Sequence, residues 1–195
     1  SHRFFDASMT RELVRRREIE AELRQAIKRD ELSLFFQPIV DLKTGRIRCF
    51  EALLRWFHPV KGELRPAEFI PVAEETGVIV TLGNWITRQA ALACAQWPEH
   101  ISVAVNLSPL QIKAPGAVLG IEQALREAKL DPSRLELEVT ESLFIEDSEQ
   151  TAAFIEELSA KGVRFALDDF GTGYSSLSYI HKFPFSKIKV DRCFV

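Results

Sequence analysis

The chain has 195 residues, of which 46% are hydrophobic, with a formal net charge of −3 and a pI near 5.9. That length suffices for one domain with a sizeable core, and the slight acidity excludes the general basic field that favours nucleic-acid polymers or anionic membranes. No apolar run approaches the roughly 18 residues of a membrane span and no signal peptide opens the chain, so we expect a cytoplasmic domain without direct membrane contact, although a longer parent could be tethered.

The first segment is more charged than the rest. Between Arg11 and Glu31, 13 of 21 residues are charged, seven basic and six acidic, which leaves only a thin apolar stripe. This pattern is typical of a solvated connecting helix, so we interpret residues 1–30 as a charged linker. A coiled-coil or partner-binding helix stays open as an alternative, although the stripe is too short for clear heptads.

From residue 32 onward, short β-like runs alternate with amphipathic helical stretches. The predicted strands are 32–40, 47–55, 101–107, 134–140, 163–168 and 185–190. The predicted helices are 66–75, 78–96, 117–128, 149–160 and 175–181. Strands and helices in alternation predict an α/β fold with a mainly parallel sheet.

The two-residue alternation of side chains gives each of these strands an apolar face and a polar face. Leu135, Leu137 and Val139 share one face, and Glu136 and Glu138 share the other. In an open antiparallel sheet the polar face would meet water. Because helices lie between the strands, we expect the apolar faces to pack outward and the polar faces to line a barrel mouth. A TIM-like barrel is therefore favoured over a doubly wound sheet.

Oxygen-bearing side chains recur at the ends of the apolar runs, and a lysine follows at a sixth end; these residues are Glu51, Asn106, Glu138, the pair Asp168 and Asp169, and Lys189. Hard cations such as Mg²⁺ or Mn²⁺ select carboxylate and amide oxygens, and parallel strands gather their carboxyl ends at one mouth. The pattern indicates a divalent-metal hydrolase. Taken alone, the aspartate pair fits an Asp-capped turn better than a metal site, and a lone lysine fits a solvated surface.

Cysteine and histidine chemistry is not indicated. Cys49, Cys94 and Cys193 are odd in number, widely spaced and set in apolar segments, so we interpret them as reduced packing residues. The histidines lack the mutual spacing of a zinc site.

Several segments together resemble one family. They are 36–40 (FQPIV), 51–56 (EALLRW), 106–108 (NLS), 138–142 (EVTES), 168–177 (DDFGTGYSSL) and 189–191 (KVD). In this order they resemble the EAL domain family, bacterial cyclic di-GMP phosphodiesterases with a modified TIM barrel. The resemblance covers residue 31 to the end. Residues 2–6 (HRFFD) resemble, more weakly, the tail of a diguanylate cyclase (GGDEF) domain, which implies a tandem parent protein.

The resemblance implies a role for each matched residue. Two divalent cations, Mg²⁺ or Mn²⁺, would be held by Glu51, Asn106, Glu138, Asp168 and Asp169, with Asp168 bridging both. Lys189 would orient the nucleophilic water or offset phosphate charge. Substrate would contact Arg55, Leu53 and, on the guanine side, Gln37; a salt-bridged rim position is the alternative for Arg55. Glu141 would hold the loop 169–176 rather than act in catalysis. The family also implies a homodimer.

The strand count differs from the family pattern. A TIM barrel has eight strands and about 250 residues, whereas about six strand candidates fit here. We therefore expect residues 31–195 to be an EAL domain truncated before the end of its barrel, with little activity as an isolated chain.

Three functions follow from these observations. The first is hydrolysis of one phosphodiester bond of cyclic di-GMP to linear pGpG by metal-activated water. The second is a receptor that binds cyclic di-GMP without cleaving it, and the third is a dimerising scaffold. The enzyme is favoured because none of the metal-binding residues that the resemblance implies between residues 31 and 195 is lost, although the set is complete for the first metal only.

Overall fold

The computed structural model describes residues 7–141, 143, 148–170 and 183–190, with side chains from residue 13 onward except that of residue 148. The helices are α1 (Ala7–Ala26), α2 (Pro66–Glu75), α3 (Val78–Cys94), α4 (Pro109–Lys113), α5 (Ala117–Ala128) and α6 (Ser148–Ala160), with a 3-10 turn at Pro132–Arg134. The strands are β1 (Leu32–Val40), β2 (Ile47–His58), β3 (Gly62–Leu64), β4 (Ser102–Asn106), β5 (Leu135–Thr140), β6 (Arg164–Phe170) and β7 (Phe185–Val190).

The strands form one mixed sheet that curves into most of a barrel. Its order is β1-β2-β4-β5-β6-β7, with β3 on β2. The strands from β2 to β7 run parallel, whereas β1 and β3 pair antiparallel with β2. The curvature is large, because Lys189 on β7 lies 3.3 Å from Glu51 on β2 although three strands separate them in the sheet. The predicted α/β fold, an incomplete TIM-like barrel, is confirmed.

Helices cover the outside of the central strands. The outward side chains of β4 and β5 are fully buried against α3, α5 and α6, in a cluster that includes Val103, Val105, Leu135, Leu137, Ala90, Ile121 and Ile155. Each large apolar side chain buried in this way contributes about 1.5–3 kcal/mol. On β7, by contrast, the outward Ile188 and Val190 remain 40% and 55% exposed. The parity prediction therefore gives the direction of these side chains correctly, and among the described residues the helical cover is complete only at the centre of the sheet.

Two short elements, β3 and α4, were not predicted from the sequence. Strand β2 continues to His58 instead of ending at residue 55, because Gly62, at φ +73°, returns the chain as β3. Three residues of strand are too few to show a period. Helix α4 carries local signals, since Ser108 and Gln111 form a capping box and Pro109 occupies the first turn. Helix α3 ends at Cys94 rather than at residue 96. The helix predicted at 175–181 lies outside the described residues.

Helix α1 is packed on the barrel. It begins at Ala7 and ends at Ala26, and its thin apolar stripe is buried with Trp56 and Phe69, through Ile19, Leu23 and Ala26. The segment predicted to be a solvated connecting helix thus has one face in the core. The division of the chain at residue 30 stays a prediction.

Two global expectations concern thiols and membranes. Cys49 and Cys94 are free and buried, and desolvation raises the pKa of both thiols. Cys193 lies outside the described residues. Among the helices that the structure describes, none is both long and apolar enough to cross a membrane.

Candidate active site

Five polar side chains from five strands meet at one end of the barrel. Asn106 (β4), Glu138 (β5), Asp168 (β6) and Lys189 (β7) project inward near the carboxyl ends of their strands, and Glu51 joins them from the first half of the longer strand β2. Register places Asn106 directly opposite Glu138. The residues that were singled out at the strand ends therefore lie together, and we call this group the mouth cluster.

Lys189 is the centre of the mouth cluster. Its Nζ donates to Glu138 Oε2 at 2.8 Å, to Asp168 Oδ2 at 3.0 Å and to Glu51 Oε2 at 3.3 Å. Burial alone would lower the pKa of Lys189, but the hydrogen bonds and charges of its three carboxylate partners outweigh burial and raise it. The ammonium is therefore a permanent positive charge at the mouth.

Glu138 is the most deeply buried member of the cluster, at 1% exposure. Burial raises the pKa of Glu138 to about 7, a rise that the Lys189 ammonium reduces and that Glu51 and Asp168 reinforce. Its Oε2 accepts from Lys189, whereas its buried Oε1 has no hydrogen-bond partner among the described residues. A buried carboxylate oxygen without a partner is costly and indicates that a ligand is expected there.

The negative charge of the cluster exceeds its positive charge. Three carboxylates surround one ammonium, and Asn106 supplies an amide whose Nδ2 donates to Glu51 Oε1 at 2.9 Å. Within the described residues, no three acidic, histidine or cysteine side chains are arranged to hold a metal ion by themselves, and Lys189 Nζ contacts all three carboxylates of the cluster. The all-oxygen donor set and the unpartnered Glu138 Oε1 nevertheless fit a hard divalent cation.

The backbone is unusual where β6 ends. Asp169 has φ +54°, a conformation that only a few residue types adopt readily, and its N–H donates to Asp168 Oδ1 at 2.9 Å. Pairing with β7 shifts register between Leu167 and Phe170. This turn directs both aspartates to the mouth, where they line the same cavity.

Two cavities open at the mouth, on either side of Leu53. One, of about 490 Å³, is lined by residues that include Gln37, Glu51, Leu53, Asp168, Asp169, Lys187 and Lys189. The other, of about 440 Å³, is lined by residues that include Leu53, Arg55, Asn106, Ser108 and Glu138. Leu53 lines both cavities, and members of the mouth cluster border each of them.

Arg55 is held on the wall of β2 above the cluster. Its Nη1 donates to the Leu54 carbonyl at 2.9 Å, its Nε lies 3.5 Å from Glu63 Oε1, and its guanidinium stands 5.5 Å from the centre of the Phe35 ring. The salt bridge to Glu63 agrees with the rim position considered from the sequence, and the side chain also lines a cavity, so the substrate-binding role of Arg55 stays a prediction. Motif reasoning missed Phe35 and Glu63.

Most of the predicted partners of Glu141 lie outside the described residues. Its Oε2 is buried and accepts no hydrogen bond from the described residues. The expected partners begin at Asp169, and those at 171–176 lie outside the described residues. Its loop-holding role therefore stays a prediction.

The sequence also missed a second ion pair below the cluster. Lys187 Nζ lies 2.5 Å from Glu136 Oε1, and Glu136 is only 3% exposed. Strand parity had placed both residues on the inward side, but no motif singled them out. The only sequence signal was the two-residue repeat shared with Glu138 and Lys189.

Comparison with known proteins identifies the family. The family model "EAL domain" matches residues 20–195. The bifunctional diguanylate cyclase/cyclic di-GMP phosphodiesterase MucR of Pseudomonas aeruginosa is 42% identical over 196 residues, which cover 98% of this chain and 29% of MucR. The chain thus spans less than a third of that relative.

Two solved structures have the same fold. The PaMucR phosphodiesterase in complex with c-di-GMP superposes with a TM-score of 0.86 at 43% identity, over 91% of this chain and 73% of that one. The FimX EAL domain from Pseudomonas aeruginosa bound to c-di-GMP gives 0.82 at 26% identity, over 90% and 72%. The chain belongs to the EAL domain family.

Proposed function

We propose that this domain hydrolyses one phosphodiester bond of cyclic di-GMP and releases linear pGpG. The observation that carries the proposal is the mouth cluster, in which five strands of an EAL domain bring carboxylates, an amide and a lysine together beside two cavities. The relative MucR, which is named as a cyclic di-GMP phosphodiesterase, supports this choice.

The mouth cluster suits two divalent cations, Mg²⁺ or Mn²⁺. Asp168 would contact both, Asp169 would hold the second, and the first would be held by Glu51, Asn106 and Glu138. The excess of negative charge and the unpartnered Glu138 Oε1 support this assignment. When bound, such a pair lowers the pKa of water and stabilises the oxygens of an in-line phosphoryl displacement.

Lys189 would assist the reaction through its positive charge and as a hydrogen-bond donor. In the proposed step the water oxygen forms a new bond to phosphorus, one P–O ester bond breaks, and the leaving oxygen takes up a proton. The Lys189 ammonium, which three carboxylates keep protonated, would orient that water or offset the charge on the phosphate.

The β1–β2 wall would hold the substrate. Arg55 presents a planar guanidinium that can bind a phosphodiester through two hydrogen bonds. Leu53, between the two cavities, would separate the two halves of the dinucleotide, and Gln37 would border one guanine. Glu141 would hold the loop 169–176.

Replacing Glu51 with Ala tests the proposal. The full-length protein should hydrolyse cyclic di-GMP only with Mg²⁺ or Mn²⁺, and the variant should lose turnover while it retains nucleotide binding, measured by calorimetry. Glu99→Ala, an exposed carboxylate preceding β4, is the matched control. Binding without any turnover by the unaltered protein would indicate the receptor, and no binding at all would leave the scaffold.

Other features of the parent stay predictions. We expect a homodimer, a cytoplasmic location and a GGDEF-like module before residue 30. We also expect the isolated 195-residue chain to turn over substrate more slowly than the full-length protein. Equal rates for the two would refute the last expectation.

A further inference from the structure

A second lysine–glutamate pair lies directly beneath the first in the barrel interior. Glu136 and Glu138 point inward from β5, and Lys187 and Lys189 point inward from β7. Ser186 Oγ lies 2.9 Å from the Phe165 carbonyl and 3.3 Å from Glu136 Oε2, so its single hydrogen is shared between these two acceptors. Glu136 Oε1 is paired with Lys187, whereas Glu138 Oε1 has no partner among the described residues.

In the pair formed by Glu136 and Lys187, the lysine balances the charge of the buried Glu136 carboxylate, which would otherwise need another cation. Glu136 is 3% exposed, and removing one partner of a buried pair leaves an uncompensated charge that is strongly unfavourable. Successive inward residues of a strand lie about 6.6 Å apart, a distance that a flexible lysine stem can partly bridge. Arg164 lies beside Glu136 in the register of β5 and β6, but it is exposed at the start of β6. Lys189 is the alternative cation that points inward from β7, and Glu138 is the alternative inward anion for Lys187.

We infer that Glu136 and Lys187 are positioning residues that keep the Lys189 ammonium in the mouth cluster. By satisfying each other, they prevent Glu136 from drawing Lys189 downward and prevent Lys187 from competing for Glu138. This inference rests on the proposed function, because it assigns the two residues to the same site. Neither residue contacts the substrate in this assignment.

A double-mutant cycle tests the inference in the full-length protein. Lys187→Met leaves Glu136 without its ion-pair partner, and Glu136→Gln leaves Lys187 without its partner. Each single variant should therefore lower kcat at least tenfold with little change in nucleotide affinity. The double variant removes both charges together and should recover most of the lost kcat. Lys187→Arg keeps the pair and should stay near the unaltered rate. Lys161→Met is the matched control, because Lys161 also contacts two carboxylates but lies outside the barrel.

A crystal structure gives a readout apart from activity. In Lys187→Met, Lys189 Nζ should lie within 4 Å of a Glu136 oxygen, by the usual geometric limit for an ion pair. If Lys187→Met does not fold, Glu136→Gln and the double variant still complete the comparison. Single variants with normal kcat, or a double variant no better than the worse single variant, would overturn the inference. Absence of turnover in the unaltered protein would instead refute the proposed function.

Discussion

Glu138 should make the stability of the domain fall as pH rises. Its carboxyl is 1% exposed, and burial raises its pKa from 4.5 to about 7. A raised pKa means that the folded state binds the proton more tightly than the unfolded chain. The resulting stability is complete below pH 4.5, decreases as the pH rises, and is lost above about pH 7.

The size of this effect follows from the same values. At about 1.4 kcal/mol per pH unit, the change from 4.5 to about 7 corresponds to about 3 kcal/mol of unfolding free energy. Glu138→Gln has no proton to lose. The unfolding free energy of the variant minus that of the unaltered protein should therefore increase by about 2–3 kcal/mol between pH 5 and pH 8.

Urea denaturation without divalent cations, followed by circular dichroism at pH 5, 6, 7 and 8, measures this difference. Glu99→Gln is the control, because this exposed carboxylate precedes β4 at the opposite end of the strand from Asn106. Adding Mg²⁺ at pH 8 should restabilise the unaltered protein more than Glu138→Gln, since a ligand stabilises the folded state that binds it. A difference that stays constant within about 0.5 kcal/mol from pH 5 to pH 8 would show that the burial argument is wrong.

Two further predictions concern substrate contact and the first helix. Arg55→Lys loses the planar fork and the stacking on Phe35, so KM for cyclic di-GMP should rise about tenfold with kcat nearly unchanged, and an equal fall in kcat would contradict a binding role. Leu23→Ala should destabilise the domain by about 2–5 kcal/mol in urea denaturation, whereas Leu13→Ala, at a 59% exposed position of the same helix, should change stability by less than about 0.5 kcal/mol. Equal effects of these two leucine variants would refute the packing of α1.

Strand parity was informative where both sides of a strand are enclosed. On β5, Leu135 and Leu137 are fully buried between the sheet and the surrounding helices, while Glu138 is buried in the interior of the barrel. The two-residue period therefore separates the two environments, and it predicted which side chains face the mouth. On β7 the same period gave the right directions, but the exposure of Ile188 depends on helical cover that a local pattern does not contain.

Pairing across the barrel was beyond local patterns. Lys187 reaches Glu136 over the intervening β6, so its partner depends on the order and curvature of the sheet. The same holds for Arg55, whose contact with Phe35 depends on antiparallel register. For α1, the apolar stripe was visible in the sequence, but the high charge content of the helix did not predict that Ile19, Leu23 and Ala26 are buried along one helix face.

Helix α1 contacts helix α2 and the β2–β3 hairpin, and strand β2 of that hairpin carries Arg55. Arg15 and Arg16 contact the α2 residues Glu68 and Glu75, and Glu22 contacts Lys61 between β2 and β3, as well as His58 at the end of β2. Each exposed ion pair is weak, but the buried stripe fixes the helix against the same hairpin. That hairpin also holds Glu63, the carboxylate beside Arg55. Helix α1, the β2–β3 hairpin and the carboxylate beside Arg55 therefore form one packed unit.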